Sequence, residues 1–100
     1  MRLVWSPTAR QRALAAVDFI KEDRPRAAEE WLAGLLDRVE DLPTFPNQGR
    51  VVPEWKEPEV REIFHAPYRV IYEVHEDRVE ILTLSHMRQQ LPPEFEREDR

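Results

Sequence analysis

The sequence predicts an α+β domain in the order strand, helix, helix, strand, strand, strand (βααβββ). An antiparallel sheet would carry an N-terminal helical hairpin on one face. Three observations lead there. Apolar residues recur at helical spacing through the first half of the chain. The apolar period falls to two after residue 58. The links between the last three strands are so short that neighbours must run antiparallel.

Each element has its own justification. Arg2–Trp5 is a short apolar strand. Ser6 is placed to cap a helix, and Pro7 suits the first helical position, where a missing N–H costs nothing. Ala9, Ala13, Val17 and Ile20 then share one helical face, and their small side chains permit a close neighbour. Lys21-Glu22-Asp23-Arg24 is a polar turn, and Pro25 opens a second helix. Ala28, Leu32, Leu35, Val39 and Leu42 make the strongest periodic stripe in the chain, widened by Trp31 and Leu36. Pro43 ends that helix. The segment from Leu42 to Pro58 holds Pro43, Pro46, Gly49, Pro53 and Pro58 and reads as an irregular connection, with Gly49 supplying unusual backbone angles. Glu59–Phe64, Tyr68–His75 and Arg78–Ser85 are the remaining strands, linked by His65-Ala66-Pro67 and Glu76-Asp77. Residues 1–91 form one domain, and 92–100 form a charged tail with too few apolar side chains to offset the entropy of ordering.

If the two turns pair Phe64 with Tyr68 and His75 with Arg78, alternation assigns the faces. Tyr68, Val70, Tyr72, Val74, Val79 and Ile81 lie under the helices. Arg61, Ile63, Arg69, Ile71, Glu73, Leu82, Leu84 and His86 share the other face, with Arg69 beside Ile63 and Leu84. That grouping places two guanidinium groups and one imidazole together. A cation held against apolar neighbours either pairs with a carboxylate or receives an anion. Glu62, Glu73 and Glu80 are the candidate partners in the sheet, and Glu54 and Glu57 lie in a loop able to swing over this face.

Composition excludes several classes. The 100 residues include no cysteine, which removes disulfides, thiolate zinc sites and a cysteine nucleophile. Three histidines, none adjacent or four apart, give no metal-ligand spacing, so neither metal nor cofactor is expected. No apolar run approaches a bilayer span and no secretory h-region opens the chain, which points to a cytoplasmic protein with no membrane partner. The net charge of −5 is opposite to that of a general polyanion binder.

Several segments together resemble one family. They are Val4-Trp5-Ser6-Pro7 with Ala9, the alanine-leucine second helix, Leu42-Pro43 through Pro46 to Gly49-Arg50, and Val60-Arg61-Glu62-Ile63. Tyr68-Arg69-Val70-Ile71-Tyr72-Glu73-Val74 and Val79-Glu80-Ile81-Leu82, leading to His86-Met87-Arg88, complete the set. Over residues 3–88 the chain resembles the RelE/ParE superfamily, the toxins of type II toxin–antitoxin modules and the plasmid stabilisation proteins. The resemblance implies growth inhibition, a cognate antitoxin whose C-terminal segment wraps the helices and sheet edge, and one of two targets. RelE-like members are metal-independent endoribonucleases acting on messenger RNA in the ribosome, and for that activity Arg61, Arg69 and His86 match the catalytic set. ParE-like members poison DNA gyrase, and Arg50, Arg61, Arg69, His86 and Arg88 are then target-binding candidates. The chain has a single lysine, Lys56, after residue 50 and lacks a Tyr-His-Tyr ending. Together with its acidity, this tilts the reading toward the gyrase-directed branch. A non-toxic binding module on the same fold is the alternative from a different class.

Overall fold

The computed structural model describes residues 1–95. The elements are β1 (Arg2–Trp5), α1 (Pro7–Asp23), α2 (Pro25–Glu40), β2 (Arg50–Val51), β3 (Val60–His65), β4 (Tyr68–Val74) and β5 (Arg78–His86). One five-stranded sheet has the order β1-β5-β4-β3-β2. Its β2–β3, β3–β4 and β4–β5 pairs are antiparallel, while β1 runs parallel to β5, so the sheet is mixed and mostly antiparallel. The expected element order holds. The strand β2 is an addition, a two-residue piece inside the proline-rich connection.

Local chemistry sets the helices. The Ser6 hydroxyl accepts the Ala9 N–H at 3.0 Å, which caps α1, and donates to the Leu82 carbonyl at 2.7 Å, which ties the cap to β5. Pro7 and Pro25 each sit in a first helical turn. The polar turn between the helices is shorter than the sequence suggests: α1 runs to Asp23, and Arg24 alone separates it from Pro25.

The hairpin buries Ala9, Ala13, Leu35, Val39 and Leu42 against Ile63, Val70, Tyr72, Val79, Ile81 and Leu84. This is the main core. A second cluster lies on the opposite face of the sheet: Val52, Val60, Ile71 and Leu91 are buried, with Trp55, Leu82 and Phe95 packed around them. Of the tail expected at 92–100, residues 96–100 lie outside the described set. Within 92–95, Pro92 and Phe95 reach this second cluster: Trp55 Nε1 donates to the Pro92 carbonyl at 2.8 Å and the Trp55 and Phe95 rings are 5.1 Å apart.

The register departs from the expected one twice. The first strand link is the two-residue turn Ala66-Pro67, and His65 pairs with Tyr68, so β3 is displaced by one residue. Ile63 then opposes Val70 and is buried beneath the helices, and Arg69 opposes Phe64. The Glu76-Asp77 turn holds as expected, with His75 N donating to the Arg78 carbonyl. Further along, a bulge intervenes: Tyr72 pairs with Ile81 but Ile71 pairs with Thr83, leaving Leu82 as the extra residue. Beyond it, Leu84 opposes Val70 and joins the main core, Ser85 opposes Arg69, and His86 opposes Tyr68.

Candidate functional site

These two shifts decide where the sequence-derived site residues go. Arg69 stays on the face away from the helices, as expected. Arg61 pairs with Tyr72 and His86 with Tyr68, which places both on the helix side. The expected trio of Arg61, Arg69 and His86 on one open surface is therefore not formed. A one-residue slip in β3 and one extra residue in β5 each reverse a side chain's direction.

Arg69 is 7% exposed and sits at the centre of an ion network. Its Nε donates to Glu62 Oε1 at 2.6 Å, while Nη1 and Nη2 donate to Glu54 Oε2 and Oε1 at 2.8 and 2.9 Å. The Glu54 contact is a two-toothed guanidinium–carboxylate pair, the strongest form of this bond. Glu62 is buried, and its second oxygen accepts from Arg50 Nε at 2.7 Å. The Arg50 guanidinium also lies 5.2 Å from the centre of the Phe64 ring. Hydrogen bonding from Arg69 lowers the Glu54 pKa to about 2, against the opposing effect of its partial burial. The same bond with Glu54, reinforced by Glu62, raises the Arg69 pKa still further above its ordinary value. Glu54 does lie over this face, as its loop position allowed, but as the partner of Arg69. Glu57 lies in the same loop.

Arg61 has a structural task. Its Nη1 donates to the Gly49 carbonyl at 2.8 Å. Gly49 in turn donates its N–H to the Tyr72 hydroxyl at 3.0 Å, and that hydroxyl donates to the Pro46 carbonyl at 2.7 Å. Burial pushes the Tyr72 phenol pKa up. Gly49 is required here by proximity: a Cβ would come within 2.5 Å of the Glu62 carbonyl and 2.6 Å of the Tyr72 hydroxyl. The unusual backbone angles expected of it are absent, since no glycine has a positive φ.

His86 lies in an aromatic row at the far end of the sheet. Its ring is 5.4 Å from Tyr68, which is 5.5 Å from Trp31, which is 5.3 Å from His65. His86 Nδ1 accepts the Arg88 N–H at 3.1 Å, so its proton sits on Nε2 when the ring is neutral. Arg88 is exposed just past β5. The five candidates thus separate into Arg50 and Arg69 around the Glu62 carboxylate, Arg61 beneath the Gly49 loop, and His86 with Arg88 at the C-terminal end of β5, where His86 neighbours Ser85, the partner of Arg69, but faces the opposite side of the sheet.

A helical hairpin packed on a small, mostly antiparallel mixed sheet defines a compact α+β domain. The sequence profile described as the ParE toxin of type II toxin-antitoxin system, parDE, matches residues 3–91, and the chain belongs to that family. Among solved structures, a chain described as the chromosomal ParDE TA system from P. aeruginosa has the same fold. It superposes with a TM-score of 0.73 at 24% identity, covering 86% of this chain and 95% of that one. No curated protein sequence matches closely enough to count as a relative. Among the described residues, no helix is long and apolar enough to cross a membrane.

Proposed function

We propose that this chain is a growth-inhibiting toxin directed at DNA gyrase and neutralised by a cognate antitoxin. The observation that carries the gyrase reading is the state of Arg69. A metal-independent ribonuclease needs cations and a proton carrier converging on one phosphate. Here the Arg69 guanidinium is occupied by two carboxylates, and Arg61 and His86 lie across the sheet from it. That arrangement serves a fixed binding surface better than a nuclease centre. In this reading Arg50, His86 and Arg88 contact the target, while Arg61 and Arg69 hold the surfaces in place.

The antitoxin segment is assigned to the groove between the helices and β1. Leu14 and Leu36 are 57% and 46% exposed there, beside Trp5, Leu32 and Arg10. An amphipathic segment would cover those leucines, and β1 offers an open edge next to them.

The test is induction of the chain alone and together with its neighbour-encoded partner, followed by assays with purified protein. The expected results are growth arrest relieved by the partner and inhibition of gyrase supercoiling. Codon-dependent cleavage of translated messages, reduced by Arg69→Ala or His86→Ala, would replace this reading with the ribonuclease one. A harmless chain that still binds the partner would replace it with the non-toxic module.

A further inference from the structure

The other end of the open face carries a second charged group unrelated to the Arg69 network. Glu73 on β4 and Glu80 on β5 are directly paired across the sheet, so their side chains share a face. Two like charges placed opposite each other repel, so neighbouring groups at this point of the sheet matter. His75, one residue past β4, reaches both carboxylates. Its Nε2 is 3.1 Å from Glu80 Oε1 and 3.4 Å from Glu73 Oε1. One donor atom from each of the three residues fits within a sphere of contacts no wider than 4.8 Å.

Those separations have a second meaning. An ion bound to nitrogen and oxygen at about 2.0–2.2 Å holds adjacent donors roughly 2.9–3.5 Å apart, the edge of an octahedron or tetrahedron. Both nitrogen–oxygen distances fall in that range, and with all three donors within 4.8 Å of one another, side-chain rotation of the two glutamates is enough to close them on an ion. The supports are rigid: Glu73 and Glu80 stand on adjacent strands, and the His75 backbone is held by the Arg78 carbonyl. Access is also provided for. Glu73 is 4% exposed and forms the floor, while the His75 and Glu80 side chains are about a quarter exposed and form the rim.

We propose that Glu73, His75 and Glu80 form a binding site for one divalent first-row transition-metal ion, with zinc as the fitting occupant. One imidazole and two carboxylates suit zinc better than magnesium or calcium, which favour all-oxygen sets. Three protein donors leave a position facing solvent, open to water or to a partner's side chain. Histidine spacing along the chain does not reveal such a site, because two of its three ligands are glutamates and the strand pairing assembles them. The proposal is independent of the toxin reading.

The test uses the full chain stripped with chelator. Zinc sulfate is titrated calorimetrically at pH 7.5, and cobalt(II) is added separately as a spectroscopic probe. One equivalent of zinc should bind and raise the melting temperature, and cobalt(II) should develop the visible bands of an inner-sphere nitrogen–oxygen complex. Glu80→Gln and His75→Gln should each weaken zinc binding by about tenfold or more, with the circular dichroism of the metal-free protein unchanged. If His75→Gln does not fold, Glu80→Gln decides the matter alone. Absence of stoichiometric binding overturns the proposal and leaves a simple His75-bridged carboxylate pair. Binding of undiminished strength in the folded variants overturns it equally, because the ion then sits elsewhere.

Discussion

The two faces of the sheet are closed by different means. On one, a helical hairpin lays an apolar stripe over Val70, Tyr72, Val79 and Ile81, and burial of hydrocarbon does the work. On the other, a loop and the segment through Phe95 cover a small apolar cluster, and Arg69 bonded to Glu54 and Glu62 ties the loop down. The contrast teaches that helix-side stability comes from volume and shape, whereas open-face stability depends on a few charges remaining paired. A buried ion pair adds modest net stability while intact, but removing one partner is costly because the other is left uncompensated.

Four substitutions sharpen that contrast, in decreasing order of expected effect. Leu35→Ala removes a fully buried side chain from the main core and should cost about 3–4 kcal/mol, read as a lowered urea midpoint for the whole domain. Glu62→Ala deprives both Arg69 and Arg50 of their shared buried carboxylate and should cost about 3 kcal/mol. Its signature is early hydrogen exchange in β2 and in the loop over 52–57. Gly49→Ala forces a Cβ against backbone and the Tyr72 hydroxyl and should cost roughly 1–3 kcal/mol in the same measurement.

Glu54→Gln has the smallest effect, below about 1 kcal/mol, since that side chain is 41% exposed and screened by solvent. It carries a pH dependence of definite sign. The folded Glu54 pKa is about 2 against an ordinary 4.5, so between those values the unfolded chain binds the extra proton. The contribution is therefore complete above pH 4.5 and lost as the pH falls toward 2. Urea midpoints of wild type and Glu54→Gln should differ at pH 6 and converge near pH 2.5. A constant difference across that range would separate Glu54 from the Arg69 bond.

What was legible in the sequence divides along the same line. The helices, the Ser6 cap and the residues under the hairpin follow from periodicity, because an apolar stripe has one stable place to go. The open face was harder. Ile81-Leu82-Thr83-Leu84 is apolar at three of its four positions, so no alternation marks Leu82 as the bulged residue, and the direction of His86 depends on it. Similarly, His65-Ala66-Pro67 reads as a turn without stating whether His65 is inside it, and the facing of Arg61 depends on that. Arg50–Val51 is too short and too close to prolines to show a strand pattern. Glu54 and Glu62 were recognisable as possible partners for Arg69, but their simultaneous use required the register.

The pairing of β1 with β5 joins the two extremes of the folded chain, and α1 hangs from β5 through Ser6. During synthesis the hairpin is made with its leucines facing nothing, and the strand that receives them follows only after β2, β3 and β4. The nascent polypeptide is thus a sticky, unfinished object until Arg78–His86 arrives, and a message cut short of that point yields debris rather than a weakened version of the protein.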